Sequence, residues 1–169
     1  LIKAFADKRL RKKNLKLIIA GEFYEDDTPY RQLIKLYDLE NFVIIHDHFI
    51  NDNNVPLYFS VADLVVQPYK SATQSGVTQI AFHYEKPMLV TDVGGLREIV
   101  ADKVCGYVVQ PQPDDIAEAI IDYFENNRQE KYTEGVRLEK EKFSWDKMTA
   151  SIIEVYSRCI NLKRTKSLG

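Results

Sequence analysis

Short apolar runs alternate with amphipathic segments along most of the chain. Each apolar run has the length and composition of a buried strand. The predicted strands cover residues 15–20, 42–45, 63–66, 88–91 and 104–109. The predicted helices cover residues 1–13, 28–37, 55–61, 76–84, 96–100 and 114–124. This alternation indicates βαβ units, and therefore an α/β fold with a doubly wound, Rossmann-like parallel sheet between two helical layers.

The segment from Arg128 to Lys163 follows a different pattern, because it contains two charged helices and no strand. One side of the second helix carries apolar residues, namely Met148, Ile152, Val155, Tyr156 and Cys159. Such a helix can pack on its own sheet or reach a neighbouring domain. The chain also opens in helix-like sequence without an initiating Met. We interpret residues 1–169 as a single domain that lacks its N-terminal part.

Composition and charge narrow the class of function. The 23 basic and 25 acidic residues give a net charge of -2, which offers no electrostatic reason to expect a nucleic-acid groove. No apolar run approaches the roughly 20 residues that span a bilayer, so no membrane insertion is expected. Cys105 and Cys159 are too few and too far apart for a disulfide framework or a zinc site, and predict reduced thiols in a cytosolic protein.

The most informative segment is Pro68–Gln79, which joins the third strand to a helix through small and hydroxylated residues. Gly76 lies near the first turn, where free backbone N–H groups and the helix dipole favour a phosphate. Ser75 and Thr78 can add hydroxyl hydrogen bonds, and Lys70 can add positive charge. The segment therefore predicts a local phosphate site.

The segment Asp92–Val100 repeats this arrangement, with a strand, a paired glycine and a short helix. Gly94 and Gly95 would let the backbone approach a ligand where side chains would clash. Both loops also have a simpler interpretation. Thr73 or Ser75 would then only cap the helix, and the glycine pair would only form a tight turn.

The loops after the first two strands supply the other candidates. Gly21 and Glu22 lie at the predicted ligand edge, and His48 and Phe49 could form a wall of the binding cleft. His46 and His48 suggest a metal site, but no third ligand cluster is apparent and we expect the two rings to point in opposite directions. We therefore predict no metal. The Walker, GxGxxG and Gly-x-Ser-x-Gly patterns are absent, which disfavours an NTPase, a dehydrogenase or a hydrolase.

Four segments together resemble the C-terminal domain of group 1 (family-4-like) glycosyltransferases. They are Ala62–Tyr69, Lys86–Val100, Gly106–Val109 and Phe143–Met148. The resemblance extends from about Ile2 to Ser157 and implies the GT-B architecture, in which two Rossmann-like domains face each other across a cleft. It also implies retaining transfer, with the C-terminal domain holding a nucleotide sugar and the N-terminal domain holding the acceptor.

The resemblance also assigns roles within this chain. The donor is the substrate, and neither a metal nor another cofactor is implied. The amides of Ser75, Gly76, Val77 and Thr78 would face the diphosphate, while the region from His48 to Ile50 would flank the base. Residues 144–161 would form a helix that crosses to the N-terminal domain. Acceptors linked to lipids would place the whole protein near a membrane.

This sequence departs from the family pattern in two respects. An Arg/Lys pair that the family places just before the first helix is absent from the chain. The family also has two glutamates, eight positions apart, around the phosphate loop, and the two possible alignments put Ala72 and Ile80, or Thr73 and Ala81, at these positions. There is no carboxylate between Ser71 and Tyr84.

Gln74 and Gln79 are the nearest substitutes for these glutamates, but a neutral hydrogen bond is roughly half as strong as a charge-assisted one. We therefore expect weak nucleotide binding and no transfer by this chain alone. The leading prediction is the donor-binding half of a retaining glycosyltransferase that builds a surface polysaccharide or glycolipid. The alternative is a non-catalytic nucleotide-binding or scaffold domain. A signalling receiver is disfavoured because Asp63 begins its strand, where a receiver needs an acceptor Asp at a strand end.

Overall fold

The computed structural model describes the backbone of residues 1–166 and the side chains of residues 1–158. The strands are β1 Leu17–Ala20, β2 Val43–His46, β3 Val65–Gln67, β4 Met88–Thr91 and β5 Gly106–Val109. The helices are α1 Ile2–Phe5, α2 Lys8–Lys12, α3 Thr28–Leu36, α4 Val55–Val61, α5 Gly76–His83, α6 Leu96–Ile99, α7 Pro113–Glu125, α8 Gln129–Lys140 and α9 Trp145–Lys166, with a 3₁₀ turn at Glu141–Phe143. Every predicted strand is present, with its ends within two residues of the prediction.

All strand pairs are parallel, which confirms the Rossmann-like α/β prediction. The strands hydrogen-bond in two groups, β1 with β2, and β4 between β3 and β5. Within the described residues, β1, β2, β3 and β5 each have one edge that pairs with no strand, and β4 is paired on both edges. The described strands therefore form two hydrogen-bonded groups within the predicted parallel arrangement.

Two apolar clusters cover the faces of these strands. Leu89 of β4 belongs to the first cluster, with residues of α1, α2 and α7, while its neighbours Met88 and Val90 belong to the second, with residues of α5 and α8. This division follows from the alternation of side chains along a strand. Leu17 of β1 and Val43 of β2 also belong to the first cluster, so both strand groups lie on one helical layer.

The predicted helix over residues 1–13 is wrong in one respect, because it is broken into α1 and α2. Asp7 lies between them with extended backbone, and its carboxylate accepts a hydrogen bond of 2.8 Å from the amide of Arg9. An Asp that can cap a new helix competes with continuation of the old one. The apolar spacing alone did not reveal this break.

Helix α9 exposes the apolar side that the sequence predicted. Met148, Ile152, Val155 and Tyr156 are 47%, 60%, 60% and 65% exposed. Cys159, the fifth member of that side, lies outside the described side chains. None of the helices in the described range combines the length and apolarity needed to cross a membrane.

Candidate functional site

Helix α5 begins at Gly76 and presents its N-terminus to open space. In the described part of the chain, the backbone amides of Ser75, Gly76 and Val77 donate no hydrogen bond. A Cβ atom added to Gly76 would meet nothing within 4 Å. Free amides at a helix N-terminus, aligned with the helix dipole, form a ready site for an anion.

Thr78 does not share this open position. Its side chain is fully buried, its hydroxyl donates to Gln67 Oε1 at 3.1 Å, and its amide donates to the Ser75 carbonyl at 3.2 Å. We expected both the hydroxyl and the amide of Thr78 to contact a ligand. This placement is incompatible with direct contact, because Thr78 is the third residue of α5 and its side chain faces Gln67 at the end of β3.

The segment between β3 and α5 is held from below by strand β4. The buried Thr91 hydroxyl donates to the Tyr69 carbonyl at 2.6 Å, and the Tyr69 and Ser75 hydroxyl oxygens are 3.2 Å apart. Ser75 occupies the N-cap position of α5, but its side chain makes no capping hydrogen bond. The interpretation of Ser75 as only a helix cap is therefore wrong.

Gly94 and Gly95 support the same segment. Gly94 has a φ of +53°, and a Cβ atom there would lie 1.6 Å from the Ala72 carbonyl oxygen. The Gly95 amide donates to the Thr73 carbonyl at 3.1 Å. The close approach that these glycines permit is thus made to the neighbouring loop. The positive φ of Gly94 also satisfies the tight-turn interpretation.

Positive charge lies beside this loop. Lys70 is exposed, and Leu1 lies within electrostatic range of it. The first residue of the chain therefore lies near the rim of the candidate site.

The loops after β1 and β2 form a second group. Gly21 has a φ of +130°, and its amide continues the strand pairing by donating to the His46 carbonyl at 3.1 Å. The amide of Phe23 reaches the Asp47 carboxylate at 3.5 Å. Glu22 is exposed between these contacts. These residues join the two loops to each other.

The expectation that the His46 and His48 rings point apart is wrong. The rings stack with centroids 6.0 Å apart, because residues two positions apart in extended chain share a face. His46 Nδ1 also hydrogen-bonds the Tyr58 hydroxyl at 2.8 Å. Among the described residues, no group of three or more His, Cys, Asp or Glu could hold a metal ion. Phe49 is 68% exposed.

The predicted site residues thus fall into two sets of contacts. One set joins the α5 loop to Gly94 and Gly95, and the other joins Gly21 to the loop after β2. Gln74 and Gln79 are exposed on the α5 side. Gln67 and Thr91 were not among the predicted site residues, although a polar residue at the end of a buried apolar strand is a signal that indicates such positions.

Comparison with known proteins identifies the family and supports the fold. The family model of group 1 glycosyl transferases matches residues 1–139. A glycosyltransferase of Methanocaldococcus jannaschii is 29% identical, with 88% of this chain and 38% of that protein covered. The D-inositol 3-phosphate glycosyltransferase of Xylanimonas cellulosilytica is 24% identical, with 86% and 36% covered. The chain thus spans 36% to 38% of these two relatives.

Solved structures share the fold. HepE of Anabaena in complex with UDP superposes with a TM-score of 0.79 at 22% identity, covering 94% of this chain and 44% of that one. The C-terminal domain of the group 1 family protein LpcC of Francisella tularensis superposes at 0.74 with 20% identity, covering 85% and 77%. At these identities the likeness concerns the fold alone. The family match decides the classification, and the chain belongs to the group 1 glycosyltransferases.

Proposed function

We propose that this chain is the donor-binding part of a retaining glycosyltransferase and that the N-terminus of α5 binds the diphosphate of a nucleotide sugar. The observation that carries the proposal is that the amides of Ser75, Gly76 and Val77 donate no hydrogen bond within the described residues, and that the space beside Gly76 is open. Departure of the nucleotide builds negative charge on the diphosphate. Fixed amide dipoles stabilise such charge without having to reorganise during the reaction.

The surroundings of these amides support an anionic ligand. Lys70 brings positive charge, and no carboxylate lies between Ser71 and Tyr84 to repel a phosphate. HepE, which has the same fold, was solved with UDP and with UDP-glucose. The proposed reaction uses no metal or further cofactor, and His48 and Phe49 would flank the base.

We propose further that the acceptor is held by an N-terminal domain of the full-length protein. The chain spans well under half of its relatives' length. The exposed apolar side of α9 would pack against that domain. A cytosolic location remains a prediction from the cysteine content.

The Gly76→Ala substitution tests the diphosphate site. The added methyl group enters the open space above the free amides, and the backbone of Gly76 already suits alanine. We expect stability to be unchanged or raised by about 0.5–1 kcal/mol. We expect about tenfold weaker binding of nucleoside diphosphates, equivalent to roughly 1.4 kcal/mol.

The measurement is calorimetric titration of the full-length protein with UDP, GDP and ADP, and with the matching nucleosides as control ligands. Nucleoside affinity should change by less than about twofold, since nucleosides have no phosphate to contact the amides. Equal losses for diphosphates and nucleosides would contradict the assignment of these amides to the phosphates.

A non-catalytic nucleotide-binding domain is the second candidate, and one observation favours it. The positions of the family's two glutamates carry no carboxylate in this chain, and the nearest polar substitutes, Gln74 and Gln79, offer only neutral groups, so contacts to the sugar are weaker. Full-length protein that binds a nucleotide sugar but neither transfers the sugar nor hydrolyses the donor would support this candidate. Transfer to any acceptor would exclude it.

A further inference from the structure

We propose that Gln67 and Thr78 form a buried positioning pair, which holds the first turn of α5 in the orientation that diphosphate binding requires. The inference rests on the proposed function, because it concerns the same helix N-terminus. Neither residue would touch the ligand. Both would act through the amides of Ser75, Gly76 and Val77.

The geometry connects the pair to these amides directly. Thr78 follows Val77 in the first turn of α5, and its hydroxyl donates to Gln67 Oε1 at 3.1 Å. Gln67 is the last residue of β3, and it lies opposite Val90 in the parallel pairing with β4. The pair therefore fastens the start of α5 to the end of β3, which is itself paired with β4.

Stability alone does not explain a polar pair at this position. Gln67 is 3% exposed and Thr78 is fully buried, yet Gln67 Nε2 has no hydrogen-bond partner among the described side chains and backbone. A buried donor without a partner is costly, and replacing both members of a buried pair by apolar groups of similar shape is often neutral or stabilising. The pair thus gives a directional constraint at the expense of stability.

A directional constraint matters here because hydrogen bonds weaken steeply as their angle departs from linear. Apolar side chains would hold α5 near β3 by packing, which constrains rotation about the helix axis less sharply than a directional hydrogen bond does. A hydrogen bond between a fixed strand end and the first turn limits that rotation. The free amides would then point at the phosphates before the ligand arrives.

The experiment compares Gln67→Met, Thr78→Val and the double variant in the full-length protein. Thermal unfolding reports stability, and calorimetry with UDP and with uridine reports affinity. Each single variant should lose stability, because the remaining partner is buried without a hydrogen bond. The double variant should regain the thermal midpoint of the parent, because both polar groups are gone.

Diphosphate affinity should not recover in the double variant. We expect all three variants to bind UDP about fivefold to tenfold more weakly, with uridine affinity within about twofold of the parent. Thr78→Ser, which keeps the hydroxyl, should bind UDP like the parent. Recovery of UDP affinity together with stability in the double variant would show that the pair is only structural and would overturn the inference.

Tyr123→Phe is the matched control. Its buried hydroxyl donates to the Asp63 carbonyl at 2.8 Å in the first apolar cluster, away from α5. This variant should lose stability and keep its affinity for UDP. If the parent protein binds uridine but gains no affinity from the diphosphate, the proposed function fails and this inference fails with it. If the parent protein gains affinity from the diphosphate and the double variant recovers both stability and UDP affinity, this inference is overturned and the proposed function stands.

Discussion

The loop between β3 and α5 and the loop between β2 and α4 both leave the ends of parallel strands, but they are held differently. In the first loop, the Tyr69 carbonyl accepts a hydrogen bond from the Thr91 hydroxyl of β4. The Thr73 carbonyl accepts another from the Gly95 amide, in the loop after β4. The second makes a local turn, in which the Asn54 amide donates to the Asn51 carbonyl at 2.9 Å, and beyond the end of β2 its contact with the loop after β1, from the Phe23 amide to the Asp47 carboxylate, is long at 3.5 Å. Its aromatic residue, Phe49, is largely exposed.

This difference matches what each loop is proposed to bind. A diphosphate is recognised by directional amide hydrogen bonds, which are strongest when the donors are fixed in advance. A base is recognised largely by the flat surface of an aromatic ring, which tolerates small displacements. The α5 loop is therefore the rigid part of the candidate site, and the loop after β2 is the adaptable part.

The largest effect is expected from Gly94→Ala. The new Cβ atom would overlap the Ala72 carbonyl oxygen and the residue would keep a positive φ, so the α5 loop must move. We expect a loss of about 3–5 kcal/mol in the free energy of unfolding, from overpacking and backbone strain together. Urea denaturation measures it.

Gly21→Ala is the matched control for this substitution. Gly21 also has a positive φ, but an added Cβ atom would meet nothing within 4 Å. It should lose only about 1–2 kcal/mol, from backbone strain alone. Similar losses at both glycines would mean that contact between the glycine pair and the α5 loop contributes nothing to rigidity.

A smaller effect, confined to binding, is expected from Phe49→Ala. Because the ring is mostly exposed, the free energy of unfolding should change by less than about 0.5 kcal/mol. Loss of aromatic contact with the base should weaken the binding of uridine and UDP equally, by about tenfold. Leu138→Ala, a similarly exposed residue on α8, should change neither affinity. A loss for UDP alone would place Phe49 near the phosphates instead.

The smallest effect concerns the far end of α5. Glu85 follows this helix and pairs with Arg137 at 2.7 Å and with Lys140, both on α8. Hydrogen bonds from Lys140 and then Arg137 lower the pKa of the Glu85 carboxyl to about 2. Its stabilising contribution is therefore present above the ordinary pKa of 4.5 and is lost as the pH falls through about 2.

Glu85→Gln should flatten the fall in stability between these two pH values, and the effect should be small because the ion pair is near the surface. Urea midpoints measured across that range check it. An unchanged slope would show that Glu85 does not hold α5 to α8 in solution. Diphosphate affinity at neutral pH should stay within about twofold, since Glu85 is remote from the free amides.

Most of the fold could be predicted because strand and helix signals are local. The apolar runs before Gly21, Pro68 and Asp92 marked where three strands end, and parallel strands put such ends at one edge. The break at Asp7 was missed because a helix cap and an amphipathic period can coexist in the same residues. The stacking of His46 and His48 was not predicted, because the two rings were expected to point apart, whereas residues two positions apart in extended backbone share a face.

The order of residues was enough to establish a parallel α/β domain, its family, and the position of Gly76 at the start of a helix after a buried strand. Each of these depends on neighbours in the chain. Tertiary packing alone decided that Thr78 faces inward to Gln67 and that Gly94 makes room for Ala72. The partners in these contacts come from different strands and loops. The periodicity of a sequence does not indicate which distant residue a given side chain or glycine will contact.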